Sequence, residues 1–194
     1  MTRSGRAVRG AVSVLVALLV VGCGVQLQDE AEPLPGGLLP TATAAPTPTA
    51  TPTQEETEVF FVTGRQLEGV PEPVAERSAE GIMDALAAGP PVEREAELRS
   101  LLLDPLTSAP LLVVSSVTPT GEVLVTRTDG FLTLPATDQI LLTGQVVHSM
   151  DGIGIPRVVM VDGAGAVVPV TLPDGRVQDG AVTAEDFADL LLPA

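Results

Sequence analysis

Apolar positions recur along the chain with strand-like and helix-like spacing, and the pattern predicts a folded domain over residues 58–194. The run EVFFV, residues 58–62, is β-branched and aromatic and predicts a first strand. A loop is expected next, because Pro71 and Pro73 follow closely. An amphipathic helix comes after it, whose apolar stripe is Ala75, Ala79, Ile82, Met83 and Leu86. Gly89 and the two prolines behind it should end this helix.

The next stretch predicts a short helical segment and then a hairpin. Residues 93–105 suit one or two helical turns that end near Asp104 and Pro105. Residues 110–128 contain two strand-like runs on either side of TPTG, and we expect Gly121 to lie in the turn between them.

The remaining pattern predicts a second helix, two strands and a closing helix. The second helix should begin near Pro135, a residue suited to a first helical position. Its apolar face consists of Ala136, Ile140, Thr143, Val147 and Met150. The run RVVMV, residues 157–161, predicts a buried strand, and residues 166–172 predict an edge strand because they contain Pro169. Thr183 is a suitable N-cap for a short final helix with Asp186 in its first turn.

These elements define the expected fold class. Their order is β-α-β-β-α-β, followed by an extra C-terminal strand and a short helix. We therefore expect one small α+β domain, with helices on one face of a mostly antiparallel or mixed sheet.

The N-terminal residues 1–22 have the layout of a secretory signal peptide. Arg3, Arg6 and Arg9 precede an uncharged apolar run from Ala11 to Val21. That run is shorter than the roughly 20 apolar residues that a membrane-spanning helix needs. The arrangement predicts export of the chain rather than a transmembrane anchor.

The single cysteine of the chain, Cys23, lies directly behind this segment. Residues Val20-Val21-Gly22-Cys23 resemble the bacterial lipobox, with valine where leucine is commonest. The resemblance implies that the chain is cut before Cys23 and that its sulfur carries an acyl group inserted in the lipid bilayer. The expected location is the extracytoplasmic face of the cell membrane. A buried or free thiol beside an apolar run is the alternative interpretation.

Residues 23–57 predict a disordered linker behind the lipidated cysteine. Residues 41–53 read TATAAPTPTATPT, in which proline removes hydrogen-bond donors and threonine and alanine offer no apolar face to bury. Such a composition is typical of a semi-extended spacer. Glycosylated threonines and a bare spacer are both consistent with it.

Charge and aromatic content exclude several classes of partner. The chain holds 25 acidic and 10 basic residues, and the predicted cleavage would leave a net charge of −18 because it removes three arginines. Such a chain repels nucleic acid and anionic headgroups. The four phenylalanines are the only aromatic residues apart from one histidine, so stacking platforms for bases or sugars are not expected.

The sequence contains no recognisable catalytic or metal-binding pattern. His148 is the only histidine, the chain has no G-x-S-x-G nucleophile elbow, and a histidine late in a helix suits the helix dipole. One histidine and one cysteine do not favour a zinc site. The five Asp-Gly pairs are turn signals, because none lies in a loop with the alternating carboxylates of a calcium site. We expect neither enzymatic activity nor a cofactor.

Several motifs resemble the GerMN domain, a family known from sporulation and germination proteins and from actinobacterial lipoproteins. The matching features over roughly residues 58–170 come in the family's order: VFFV, ALAAGP, LRSLLLDP, the hairpin about Gly121, and DQILLTGQVVHSMDGIGIPRVVMVDG. The most specific are Gly89-Pro90, Gln139-Ile140 with Thr143, and Val161-Asp162-Gly163. Gly144 departs from the pattern, which has a large aliphatic residue there, and should weaken its helix by about 1 kcal/mol relative to alanine.

The resemblance implies a small fold similar to ring-building motifs of envelope secretion complexes, without known enzymatic activity. The expected function is a lipid-anchored module that docks onto another envelope protein. A lipid-anchored carrier of an apolar or small ligand is the alternative.

Overall fold

The structure, a computed structural model, describes residues 55–193. The predicted signal peptide, Cys23 and nearly all of the predicted linker lie outside these residues. The strands are β1 (Glu55–Thr63), β2 (Gln66–Val74), β3 (Leu112–Val117), β4 (Glu122–Arg127), β5 (Arg157–Val161), β6 (Val170–Thr171), β7 (Val177–Gln178) and β8 (Ala181–Val182). The α-helices are α1 (Ala79–Ala88), α2 (Asp129–Thr133) and α3 (Ala136–Asp151), and two 3-10 helices span Val92–Arg94 and Ala184–Leu190.

The main sheet is mixed, as the expected α+β class requires. Its strand order is β3-β4-β5-β8. The strands β3 and β4 form the predicted antiparallel hairpin, with Gly121 in its turn at a φ of 80°. The strands β4 and β5 are parallel, and α2 and α3 make the crossover between them. The buried strand predicted at residues 157–161 is confirmed.

The loop predicted around Pro71 and Pro73 is wrong, because both prolines lie in β2, which pairs with β1 along its whole length. Pro71 lies opposite Glu58 and Pro73 opposite Glu56. Backbone groups alternate in direction along a strand, so every second pair of an antiparallel ladder lacks mutual hydrogen bonds.

The register explains why these prolines do not break the hairpin. On β1, the even-numbered Phe60 and Val62 donate their N–H groups away from β2, to Ser149 Oγ at 2.9 Å and to the Arg99 carbonyl at 2.8 Å. Glu56 and Glu58 are also even-numbered positions of β1, and they lie opposite Pro73 and Pro71. An N–H on either proline would therefore also point away from the partner strand. Proline is tolerated at such positions.

Helix α1 follows the predicted stripe closely. Ser78 caps its N-terminus by accepting from the Gly81 N–H at 3.1 Å, and Gly89 ends it at a φ of 87°. Ala79, Ile82, Met83 and Leu86 are buried against the core. Ala75, which the pattern places in the stripe, lies before the helix and is exposed.

The helical turns predicted for residues 93–105 are largely absent. The 3-10 helix Val92–Arg94 forms, and a turn follows it in which the Leu98 N–H donates to the Arg94 carbonyl at 2.9 Å. From about residue 98 the chain is no longer helical. Arg99 exchanges two backbone hydrogen bonds with Val62, at 2.8 and 2.9 Å, and Leu103 pairs with Pro110. Pairing with distant segments therefore overrides the local helical preference.

Helix α3 is more deeply buried than a single apolar face predicts. Its first turn is exposed or half-buried, but all residues from Leu141 to Met150 are buried. The helix contacts β1, β2, β5, α1 and the C-terminal 3-10 helix, and these elements surround its second half.

Gly144 permits one of these contacts. A Cβ atom there would lie 2.8 Å from Leu190 Cδ1 and 3.2 Å from both Phe187 Cδ1 and Leu67 Cδ1. The departure from the family pattern, expected only to weaken the helix, instead lets the C-terminal 3-10 helix pack directly on the α3 backbone.

The C-terminal region agrees with the sequence in its cap but not in its strand. Thr183 and Asp186 form a reciprocal capping box at the start of the 3-10 helix, as their positions predict. The strand predicted over residues 166–172 is reduced to the two residues of β6 and a bridge between Val167 and Val161.

We expect Gly144→Val to lower the free energy of unfolding by about 1–3 kcal/mol, because the added methyl groups overpack the contact with Phe187 and Leu190. Urea unfolding at neutral pH measures the change. Gly163→Val is the matched control, because Gly163 is exposed and nothing lies within 4 Å of the position of its Cβ. Equal stability of the two variants would contradict the tight packing at Gly144.

Candidate docking site

An apolar groove lies between helix α1 and strand β3. Its apolar lining comes from three segments of the chain: Met83 and Ala87 from α1, Leu102 and Leu103 from the extended segment, and Pro110, Leu112, Val113 and Val114 from β3 and its approach. The groove has a volume of about 320 Å³ and is open to solvent. Exposed apolar surface of this kind is typical of interaction sites.

Two carboxylates are the only charged side chains among the described residues that line the groove. Glu80 and Asp84 lie four residues apart on α1, and both are exposed. Within the part of the chain that the structure describes, no lysine, arginine or histidine lines the groove. The groove therefore combines an apolar floor with an acidic rim.

Strand β3 is the one long, unprotected strand edge among residues 55–193. It is six residues long, LVVSSV, without charge or proline, and Val113 and Val117 are 40% and 49% exposed. The outer edge of β2 carries two prolines, and the edge strand β8 has two residues. Proline, charge and short length are devices that prevent edge pairing, and β3 has only a bulge near Ser115.

A second, smaller cleft of about 60 Å³ lies between β4, α3 and β6. The Arg127 guanidinium lies 5.7 Å from the Phe131 ring centroid and donates to the Pro169 carbonyl at 3.4 Å. Burial lowers the pKa of Arg127, an effect that the charge of Asp162 opposes. From residues 55–193, no carboxylate, histidine, cysteine or serine lines this cleft.

The residues that match the GerMN pattern most specifically have structural roles here. Gln139 donates its Nε2 to the Leu134 carbonyl at 2.9 Å, and Thr143 donates its hydroxyl to the Gln139 carbonyl at 2.8 Å. Asp162 Oδ1 accepts from the N–H groups of Ala164 and Ala166, both at 2.9 Å, and so stabilises the turn after β5.

His148 lies in the core rather than in either cleft. Its ring packs against Phe60 with centroids 5.1 Å apart, and its Nε2 lies 3.3 Å from the Phe187 carbonyl oxygen. Burial lowers the pKa of His148 below the usual 6.5, while the Phe187 carbonyl and the charges of Asp151 and Glu58 act in the opposite direction. The neutral imidazole joins β1, α3 and the C-terminal 3-10 helix.

Within residues 55–193, no group of three or more His, Cys, Asp or Glu side chains is placed to hold a metal ion. No helix in the same range is both long enough and apolar enough to cross a bilayer. Cys23, the predicted lipidation site, lies outside the described residues.

Sequence reasoning missed the groove, although part of its signal is readable. The run from Leu112 to Val117 lacks charge and proline, unlike β2, and this difference marks an unprotected edge. The acidic rim and the Leu102–Leu103 wall come from other parts of the sequence, and only the fold brings them beside β3.

Among solved structures, the tandem GerMN domains of the sporulation protein GerM from Bacillus subtilis are similar to this chain, with a TM-score of 0.51 and 15% sequence identity. The similarity covers 69% of this chain and 48% of that structure, so the chain spans about half of its length. A scan against protein-family models found no match, and a search of curated proteins found no significantly similar sequence.

The pH dependence of stability should report the buried neutral His148. Above the unfolded-state pKa of about 6.5 the stabilisation is complete, and it is lost as the pH falls below that value, because the unfolded chain binds a proton that the folded chain resists. Urea unfolding between about pH 5 and pH 8 should show this loss in the wild type. In His148→Gln, which lacks the titrating group, the stability difference from the wild type should shrink as the pH falls. Parallel profiles would contradict the buried, neutral state.

At 15% identity the likeness to the GerM structure concerns the fold alone, and it agrees with the motif resemblance noted in the sequence. The described domain has a GerMN-like α+β fold.

Proposed function

We propose that this chain is a membrane-anchored extracytoplasmic lipoprotein whose GerMN-like domain is a non-enzymatic protein-interaction or assembly module of the cell envelope. The observation that carries the interaction role is the uncharged free edge of β3 beside the α1 groove. A free edge and an apolar groove offer hydrogen bonds and apolar surface together, as peptide-binding domains do.

The proposed anchor rests on the sequence. The basic head, the short apolar run and Cys23 at its end support export and acylation. Acyl chains contribute about 0.8 kcal/mol per buried CH₂ group, so attachment of more than one chain would hold the protein stably at the membrane. The predicted linker ends earlier than expected, because residues 55–57 already belong to β1. Residues 23–54 would act as the spacer between the bilayer and the domain.

The chemistry of the described residues supports a non-enzymatic role. The only histidine is buried and bonded to a backbone carbonyl, and the groove offers two exposed carboxylates without a nucleophile or a base of raised pKa beside them. Candidate catalytic groups are expected to have perturbed pKa values in a cleft. Arg127 has a lowered pKa in the smaller cleft, but a guanidinium does not lose its proton in proteins and so does not act as a base.

A carrier role for an apolar or small ligand is the second candidate, favoured by the apolar lining of the groove. Small-molecule sites bury most of their ligand inside a concave pocket. The groove is open along β3, and this shape suits an extended polypeptide better than a small apolar molecule. A fatty acid or other small apolar probe that bound the purified chain and blocked the groove would favour the carrier role.

Cys23→Ala should release the protein from the membrane. Acylation requires the thiol, so the variant should move from the membrane fraction to the soluble extracytoplasmic fraction or remain as the uncut precursor. Fractionation and mass spectrometry of the N-terminus measure this, and Thr43→Ala in the linker is the control. A Cys23→Ala protein that stays membrane-bound at a wild-type level with an unmodified, cleaved N-terminus would contradict the anchor.

Photo-crosslinking in intact cells tests the docking role. A benzoylphenylalanine in place of Val113, at the groove, should form a discrete adduct with one envelope protein. The same residue in place of Leu132, which is 60% exposed on α2, is the control and should not form that adduct. The Val113 adduct should weaken when Cys23→Ala removes the anchor. Identical adduct patterns from both positions would contradict docking at the groove.

A further inference from the structure

We propose that β3 accepts a positively charged, extended segment of the envelope partner as an additional strand of the main sheet. This inference rests on the proposed interaction function and specifies the chemistry of the partner. The incoming segment pairs its backbone with β3, places alternate apolar side chains in the groove, and presents lysine or arginine to Glu80 and Asp84.

The register of the β3–β4 hairpin identifies the free backbone groups. Thr128 donates to the Leu111 carbonyl at 3.1 Å, and Thr118 donates to the Glu122 carbonyl at 2.8 Å. Backbone groups alternate in direction along a strand, so these two bonds show which residues face β4 on either side of the bulge. The N–H and C=O groups of Leu112, Val114 and Val117 point away from β4. Within residues 55–193, no hydrogen bond occupies these outward groups.

The neighbouring chain sets the length of the free edge. Leu111 donates to the Leu102 carbonyl and Asp104 donates to the Ala109 carbonyl, at 2.8 and 2.9 Å. This pairing covers the edge just before β3 and leaves it free over the six residues Leu112–Val117. Six residues of a strand span about 20 Å, so we expect a partner segment of about that length.

Side-chain alternation explains the expected sequence of the partner. Successive side chains of a strand point to opposite faces, so every second residue of an added strand would face the groove. The groove presents Met83, Ala87, Leu102 and Leu103 there, and these require apolar partners. The other face of the added strand would remain in solvent and can be polar.

The charges at the rim of the groove determine which sign of charge the partner segment should carry. Glu80 and Asp84 form the rim, and none of the described residues that line the groove is basic, so a cationic segment is favoured over an anionic one. A second copy would bring two acidic rims together. The chain's own residues 24–54 carry Asp29, Glu30 and Glu32 without any lysine or arginine, so the same repulsion disfavours them.

Peptide binding to the purified full chain in detergent tests this proposal. The probe is a fluorescein-labelled seven-residue peptide of alternating valine and threonine with a lysine at each end. There are two control peptides. One has glutamate in place of lysine at both ends, and the other has N-methyl groups on the amides that would donate to β3. Fluorescence anisotropy should show the lysine peptide binding at least about tenfold more tightly than either control peptide. The advantage over the glutamate peptide should shrink in high salt.

Variants of the chain locate the site. Val114→Pro removes an outward N–H without touching the ladder to β4 and should weaken binding about tenfold. If this variant fails to fold by circular dichroism, the N-methylated peptide carries the same test. Glu80→Gln with Asp84→Asn should remove the preference for lysine ends. Glu185→Gln with Asp189→Asn is the matched control, since it alters an exposed Glu and Asp at the same spacing elsewhere and should leave the preference unchanged.

Three results would overturn strand addition by a cationic segment. The first is equal binding of the N-methylated and unmethylated peptides, and the second is absence of binding by the lysine peptide. The third is a concentration-dependent dimer of the chain that Val114→Pro dissociates, because a second copy would then be the occupant of the edge. If any of these is found while the cellular Val113 adduct persists, strand addition by such a segment fails and the interaction function stands. Loss of the adduct itself would reject the function.

Discussion

Complete burial of the second half of helix α3 is the constraint on which the described domain depends. Ten consecutive residues, 141–150, are buried, although the helix carries polar side chains among them. Each of three such side chains is bonded to the backbone of a distant segment. Ser149 accepts from the Phe60 N–H, Gln145 accepts from the Leu101 N–H at 3.1 Å, and His148 contacts the Phe187 carbonyl. Long-range bonds of this kind fix the hairpin, the extended segment and the C-terminal 3-10 helix to one central helix.

This arrangement accounts for where the surface is left open. On β1, the outward N–H groups of Phe60 and Val62 are bonded to Ser149 and Arg99, and the prolines of β2 protect the other side of the hairpin. The apolar face of α1 packs on the core, while Glu80 and Asp84 remain in solvent. The edge of β3 is then the place where unpaired backbone, apolar surface and a charged rim coincide. A rigid scaffold with one such edge is suited to holding a partner.

The sequence predicts the elements whose signals are local. Helix α1 with its stop at Gly89, the hairpin around Gly121, the strand at 157–161 and the Thr183 cap all depend on neighbouring residues. The prediction fails where distant residues decide the outcome. Pro71 and Pro73 are compatible with a strand only because of their register against β1, and residues 98–104 are not helical because Arg99 and Leu103 pair with other segments. The groove could not be predicted from the sequence for the same reason, because the residues that form its walls are far apart in the chain. The prediction that Cys23 is lipidated differs from these, because it depends on a short local motif alone.

Hydrogen–deuterium exchange at β3 is the measurement that tests the docking account most directly. In the purified chain, the outward amides of Leu112, Val114 and Val117 should exchange fast, while the Val113 amide, which faces β4, should exchange slowly. In native membranes that contain the partner, we expect the outward amides to become protected, whereas exchange of the amides in the Asp162–Gly165 turn should not change. Equal exchange at β3 in the purified chain and in native membranes would contradict docking at this edge.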